Sequence, residues 1–318
     1  MDLAWLQSGE FYSTVCALMW AVAVILFRKS GEHVPPVVLN FFKGSVGLLL
    51  FVLSMLVLGL DFFPAENGWR DWAVLLASGA IGIGIADSLF FEALNRLGAG
   101  RQAIIDCLYS PLVILCSFVY LREPLSVWLF VAVGLMAAAI LIGTYEPRKG
   151  TARDGRGRRE VAIGISLGIA SMLLMAIGIV MAKPVLDRSG AWWATTARLF
   201  GGWALLAFQS ALSRTHRRDV KRCFRPSGLW KVTVPAAFVG TYLSLIFWIL
   251  GMKYTFTNIA SVLNQTSSLF ILLLAAPLLG EALTWRKSAA ILIGMLGGVL
   301  ATPAGARLLL GWTGLSIV

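Results

Sequence analysis

The sequence predicts an all-α membrane protein: ten transmembrane helices arranged as two inverted five-helix repeats. Three observations predict it. The 318 residues are 58% hydrophobic and 14% charged, with mean hydropathy +0.81, whereas a soluble globular chain carries about 25% charge. The charged residues gather between long apolar runs and leave those runs almost bare; inside a bilayer only helices or closed barrels satisfy the backbone, and runs of about 20 residues have helix length. Finally, the chain overlays on itself at an offset of 158 residues, which brings Leu121-Arg-Glu-Pro-Leu-Ser126 onto Leu279-Gly-Glu-Ala-Leu-Thr284.

The spans follow in order. The first, Phe11–Phe27, carries Cys16 and Trp20 on one face, and Trp20 is a candidate cavity wall. The second, Val34–Leu60, holds Lys43. The third, Trp72–Leu94, holds Asp87, with Glu92 near its end. Its Gly79, Gly82 and Gly84 allow close helix contact. The fourth, Ala99–Leu121, places Gln102, Asp106 and Tyr109 on one face at i, i+4, i+7 spacing, and Pro111 removes a backbone hydrogen bond. The fifth and sixth are Val127–Tyr145 and Val161–Ala182. The seventh, Ala191–Leu212, opens with the interfacial pair Trp192 and Trp193 and holds Arg198 one turn after Thr195. The eighth, Trp230–Met252, contains Pro235 and Trp248. The ninth, Phe256–Leu279, repeats the polar stripe with Ser261, Asn264, Ser267 and Ser268. The tenth, Ala289–Ala301, is short and is read from near Leu283.

Residues 1–146 therefore form the first repeat, 147–160 a basic linker, 161–304 the second repeat and 305–318 a tail. Five spans is an odd number, so the second half enters the membrane from the opposite side. Inverted halves are the architecture of secondary transporters, with the substrate site near mid-membrane between them. The ungapped overlay puts Asp106 on Asn264, Tyr109 on Ser267 and Asn40 on Arg198.

Basic residues set the orientation. Nineteen lie on the face of loops 147–160 and 213–229 and six on the other. The positive-inside rule puts the first face in the cytoplasm, both termini outside, and the protein in the inner (plasma) membrane. The net charge of +11 is the same effect, a match to acidic membrane lipid rather than nucleic acid. No cofactor or metal is expected, since the four cysteines and two histidines form no CxxC or Cys/His cluster. There is no GxxxxGK[ST] loop for a nucleotide motor, and no nucleophile–base pair at mid-span that would make this an enzyme.

Ten spans, a five-plus-five repeat, and Leu121-Arg122-Glu123 and Leu279-Gly280-Glu281 closing the fourth and ninth spans resemble the EamA-type family of the drug/metabolite transporter superfamily. Pro111 resembles that family's fourth-span proline. Leu269 at the matching second-half position, and Arg122 in place of glycine, depart from the pattern. The resemblance implies a metabolite, amino-acid or drug exporter.

Charged groups at mid-bilayer are costly, which makes them functional candidates. Lys43, Asp87 and Asp106 lie about eight residues, or about 12 Å, from the cytoplasmic ends of their spans. Arg198 presents a bidentate fork for a carboxylate or phosphate. Gln102, Tyr109, Asn264 and Ser267 supply hydrogen bonds around a central cavity. The alternative for each is a packing role: a buried Lys–Asp pair, an arginine paired with Asp87 or Asp106, or interhelical hydrogen bonds. Glu123 and Glu281 read as structural helix corners, each meeting the positive end of the helix it opens. The expected function is export of a small polar metabolite, an amino acid or derivative, with proton exchange at Asp87 or Asp106 as a coupling step. Export of lipophilic cations, and a lipid-linked flippase or accessory subunit, are the alternatives. A homodimer is left open.

Overall fold

The computed structural model describes residues 9–122, 128–144, 157–254, 263–264, 266–282 and 284–301. Every regular element among them is helical. The first half comprises α1 (Gly9–Ser30), α2 (Pro36–Val57), α3 (Trp69–Leu97), α4 (Ala99–Leu121) and α5 (Trp128–Thr144). The second comprises α6 (Arg158–Leu186), α7 (Ala191–Leu212), a short α8 (Arg214–Cys223), α9 (Trp230–Ala237 continuing to Tyr254), α10 (Ser267–Leu279) and α11 (Trp285–Ala301). Helices thus occur in all ten segments that hydropathy marks, and six are long and apolar enough to cross a bilayer. The chain is a multi-pass membrane protein.

The halves interlock. α1 packs on α9 and α10, and α6 packs correspondingly on α3 and α4. α7 lies against α3 as α2 lies against α9, while α5 pairs with α11 and α4 with α10. Exchanging the halves maps each of these pairs onto another of them or onto itself. The backbone keeps the symmetry residue by residue. At the 158-residue offset, a π-helical stretch at Ala80–Ile85 in α3 falls on another at Phe238–Leu243 in α9, and Tyr109–Leu121 falls on Ser267–Leu279. Arg122, with φ 57°, falls on Gly280, with φ 65°. That left-handed corner suits glycine and strains arginine.

The second helices align differently. Pro36–Val57 matches Ala191–Leu212 at an offset of 155, because the second half has three more residues between its second helix and its π-stretch. Packing bears this out: Gly47 of α2 abuts Thr241 in the α9 π-stretch, and Gly202 of α7 abuts Ile83 in the α3 π-stretch. The counterpart of Arg198 is therefore Lys43, not Asn40 as the ungapped overlay gives. Asn40 instead donates to the carbonyls of Ile83 and Gly84, at 2.8 and 2.9 Å, where the π-stretch disturbs the α-helical ladder.

Segment 213–229 is also more than a loop. Ser213 accepts a bond from the backbone N–H of His216, capping α8, and Cys223 at its far end is buried. α8 packs on α7 and α2. Its basic residues mask this short apolar edge from a hydropathy reading. α6 likewise starts at Arg158, three residues before the expected second repeat.

Candidate functional site

Small residues bring the charged helices together. Gly79 of α3 meets the backbone of Arg198, Gly201 meets that of Leu76, and a Cβ on Gly178 of α6 would lie 2.8 Å from the Cα of Gly82. With no side chains between them, α3, α6 and α7 pack backbone to backbone. Ser78 sits at this junction. Its hydroxyl donates to the Gly178 carbonyl at 2.6 Å and accepts from Arg198 Nε at 2.9 Å. Ser78 was not legible as a site residue, since a serine in a glycine- and alanine-rich span reads as a small packing residue.

Arg198 is half-buried about 10 Å along α7. It interacts electrostatically with Tyr109 and Asp87. Among the described residues it has no carboxylate within ion-pair distance, so its guanidinium fork is held from one side by a hydroxyl and is not closed by an acid. Lys43 differs. It is 4% exposed, bonded to Asp87 Oδ2, and its ammonium lies 5.3 Å from the Phe91 ring centre and 5.9 Å from that of Phe27. Two aromatic faces and a carboxylate surround the ammonium, contacts of the kind the packing alternative calls for.

The fourth helix is broken beside these charges. α4 stops at Asp106, turns through Cys107 and Leu108, and resumes at Tyr109. Pro111 explains the break, because its ring excludes the carbonyl four residues earlier, that of Cys107. The second half lacks this proline, yet α10 likewise begins only at Ser267. There Thr266 Oγ1 donates to the Leu263 carbonyl at 2.5 Å and competes with the helical ladder. Gln102 is fully buried and donates to Asp106 Oδ1 at 2.9 Å. Asp106 Oδ2, Gln102 Oε1 and Asn264 Oδ1 are buried with no hydrogen-bond partner among the described residues. Ser267 is buried, and its neighbour Ser268 receives the Cys107 thiol at 3.7 Å.

The remaining expected site residues lie apart from the charges. Trp20 packs on Phe90, ring centres 6.0 Å apart, as part of the apolar core. Glu281 accepts from the backbone N–H groups of Ala99 and Gly100, at 2.7 and 2.9 Å. It thus meets a helix N-terminus as its position suggests, but that of α4 in the other half rather than of α11, which it precedes. Gly98 makes room for it, since a Cβ there would come 2.7 Å from Glu281 Oε1. Glu123 and Ser261 fall outside the described residues. Glu92 binds Arg96 at 2.5 Å. A cavity of about 410 Å³ opens elsewhere, at the bundle end bearing Lys29, His33 and Leu229. Among the described residues no group of three His, Cys, Asp or Glu side chains gathers for a transition metal.

The EamA-like transporter family matches residues 7–145 and 162–302, one copy in each half. The chain belongs to the EamA-like transporter family. The two copies coincide with the halves the helix bounds define. A solved crystal structure superposes on this EamA-family chain with TM-score 0.64, covering 94% of this chain and 98% of that one at 17% identity, a likeness of fold. An uncharacterized transporter from Methanothermobacter thermautotrophicus is 24% identical over 120 residues. That match covers 38% of this chain and 34% of the archaeal protein's length. The family match supports a membrane transporter.

Proposed function

We propose that this EamA-family protein is a secondary transporter that exports small polar metabolites, amino acids or their derivatives, by alternating access of its two inverted halves. Ten spans carry it. The excess of basic residues on the face of loops 147–160 and 213–229 orients that face to the cytoplasm of the inner membrane, with both termini outside. The observation that carries the reading is Arg198. A permanently charged fork lies in the junction between the halves, oriented by Ser78 and closed by no acid among the described residues. Such a group is retained inside a membrane at substantial cost, and a substrate carboxylate is its natural partner. Tyr109 and Asn264, from the two broken helices, supply hydrogen bonds, and a coupling ion acts at an intramembrane acid. Asp87 is neutralised by Lys43, which leaves Asp106 for that role. The pair of Lys43 with Asp87 holds α2 against α3.

The test is the apparent melting temperature of the purified protein in detergent against amino acids, organic anions and lipophilic cations. A ligand that binds the folded state raises it. A rise with amino acids that Arg198→Ala abolishes and Arg198→Lys does not restore is the expected result. A rise unaffected by Arg198→Ala contradicts the assignment. One observation favours a second reading: Asp106 has no basic partner among the described residues and could receive a lipophilic cation. A shift confined to cations and lost in Asp106→Asn selects that reading.

A further inference from the structure

The turn between α1 and α2 and the turn between α6 and α7 are equivalent, yet they meet their neighbours differently. Arg28 pairs with Glu32 at 3.9 Å before the first, and Lys183 pairs with Asp187 before the second, the same i, i+4 contact at an offset of 155. His33 is therefore the counterpart of Arg188. The π-stretches set the adjoining helices at an offset of 158, so Asp71 in the first turn of α3 is the counterpart of Leu229, which precedes α9. Arg188 is bonded to Asp71. His33 and Leu229 both line the cavity of about 410 Å³. Equivalent positions thus carry an ion pair at one end of the bundle and a cavity at the other.

More than one contact closes the first end. Asn67 donates to Ser189 Oγ at 2.6 Å and to Asp71 at 3.2 Å, and Trp193 Nε1 donates to the Phe62 carbonyl at 3.0 Å. The Trp72 and Trp193 rings meet edge to face, centres 5.2 Å apart. Leu75, Val185 and Ala194 pack with them in an apolar cluster separate from the main core. The pairs Asp71–Arg188, Asn67–Ser189, Phe62–Trp193 and Trp72–Trp193 each join the first half to the second. Leu229 can form no ion pair, so the other end cannot build the same lock. Alternating access moves one repeat against the other, shutting one end of the path while the other is open. We infer that Asp71 and Arg188 form the gate of their end: the pair holds it shut in this structure and parts when it opens. This rests on the transporter reading and names its gate. Arg198 lies further along α7 than Trp193, behind that gate. The Arg188 side chain is 55% exposed, and an ion pair screened by water is weak enough to part in each cycle.

The experiment follows maleimide labelling of the purified protein, without transport substrate, residue by residue by mass spectrometry. Ala194→Cys, buried behind the gate, reacts slowly with a charged maleimide. Arg188→Gln speeds that reaction about two- to fivefold, the range an exposed ion pair spans, and Arg188→Lys, which keeps the charge, speeds it less. Cys223, buried at the other end, does not accelerate in either variant and so reports general loosening. If Ala194→Cys does not fold, Ala182→Cys in the same cluster carries the labelling. In vesicles, a short bifunctional thiosulfonate joining Asn67→Cys to Ser189→Cys stops counterflow of a labelled amino acid, and reductant restores it. Unchanged labelling in Arg188→Gln, an equal rise at Cys223, or counterflow that survives the cross-link overturns the proposal. Because the labelling needs no substrate, its failure leaves the transporter reading intact, and a silent substrate panel leaves the labelling readable.

Discussion

Lys43 and Arg198 occupy equivalent positions in the two halves and do opposite things. Lys43 is closed off by Asp87 and two phenylalanine rings; Arg198 rests on a serine and keeps its fork. Truncating one partner of a buried pair leaves the other charge without compensation, which costs about 3–5 kcal/mol. Lys43→Met therefore destabilises the protein by about that amount in detergent unfolding, and Lys43→Met with Asp87→Leu recovers most of the loss. Equal stability of the single and double variants contradicts a structural pair. At this scale the sequence was partly legible. Intramembrane charge singled out Lys43, Asp87, Asp106 and Arg198, and helical spacing linked Gln102 to Asp106. The difference between the two cations was not legible, because it depends on which neighbour each helix meets across the bundle. Ser78 carried no signal, since serine is an ordinary packing residue in membrane helices.

Among the elements, α3 and α7 depend on glycine where backbones touch. Gly79→Ala puts a methyl group into the Arg198 carbonyl, an overpacking cost of about 1–3 kcal/mol. Gly44→Ala on α2 meets nothing within 4 Å and gains helix propensity, so it is neutral or stabilising by up to about 1 kcal/mol. Thermal unfolding of the two variants side by side checks this contrast, and similar melting temperatures would refute it. α8 provides a second check. Burial against the bundle lifts the Cys223 thiol to about 11, which leaves little thiolate at neutral pH. Maleimide then labels Cys223 far more slowly than a cysteine introduced at the exposed Arg218, whereas an open loop would label both alike. Hydropathy located the segments that are helical, six of them long and apolar enough to cross a bilayer, but not the π-stretches in α3 and α9. They recur at one register with a proline nearby in only one half, so shared packing rather than local sequence accounts for them.

The whole molecule is two interlocked halves of one fold, with the first helix of each against the third and fourth of the other. The repeat itself was legible from the overlay of the two halves and the repeated Leu-x-Glu corner, but which helix packs on which was not. The three-residue change of register was not, since an ungapped overlay cannot place an insertion within a polar segment. On the proposed function, the interlocked pair rocks around its charged junction and presents Arg198 to one side and then the other. The most direct measurement is counterflow in reconstituted vesicles: uptake of a labelled amino acid, chosen from the melting panel, into vesicles preloaded with the unlabelled compound. The account predicts saturable uptake that preloading accelerates and Arg198→Ala abolishes. Uptake that is indifferent to preloading, or equal in wild type and Arg198→Ala, would contradict it.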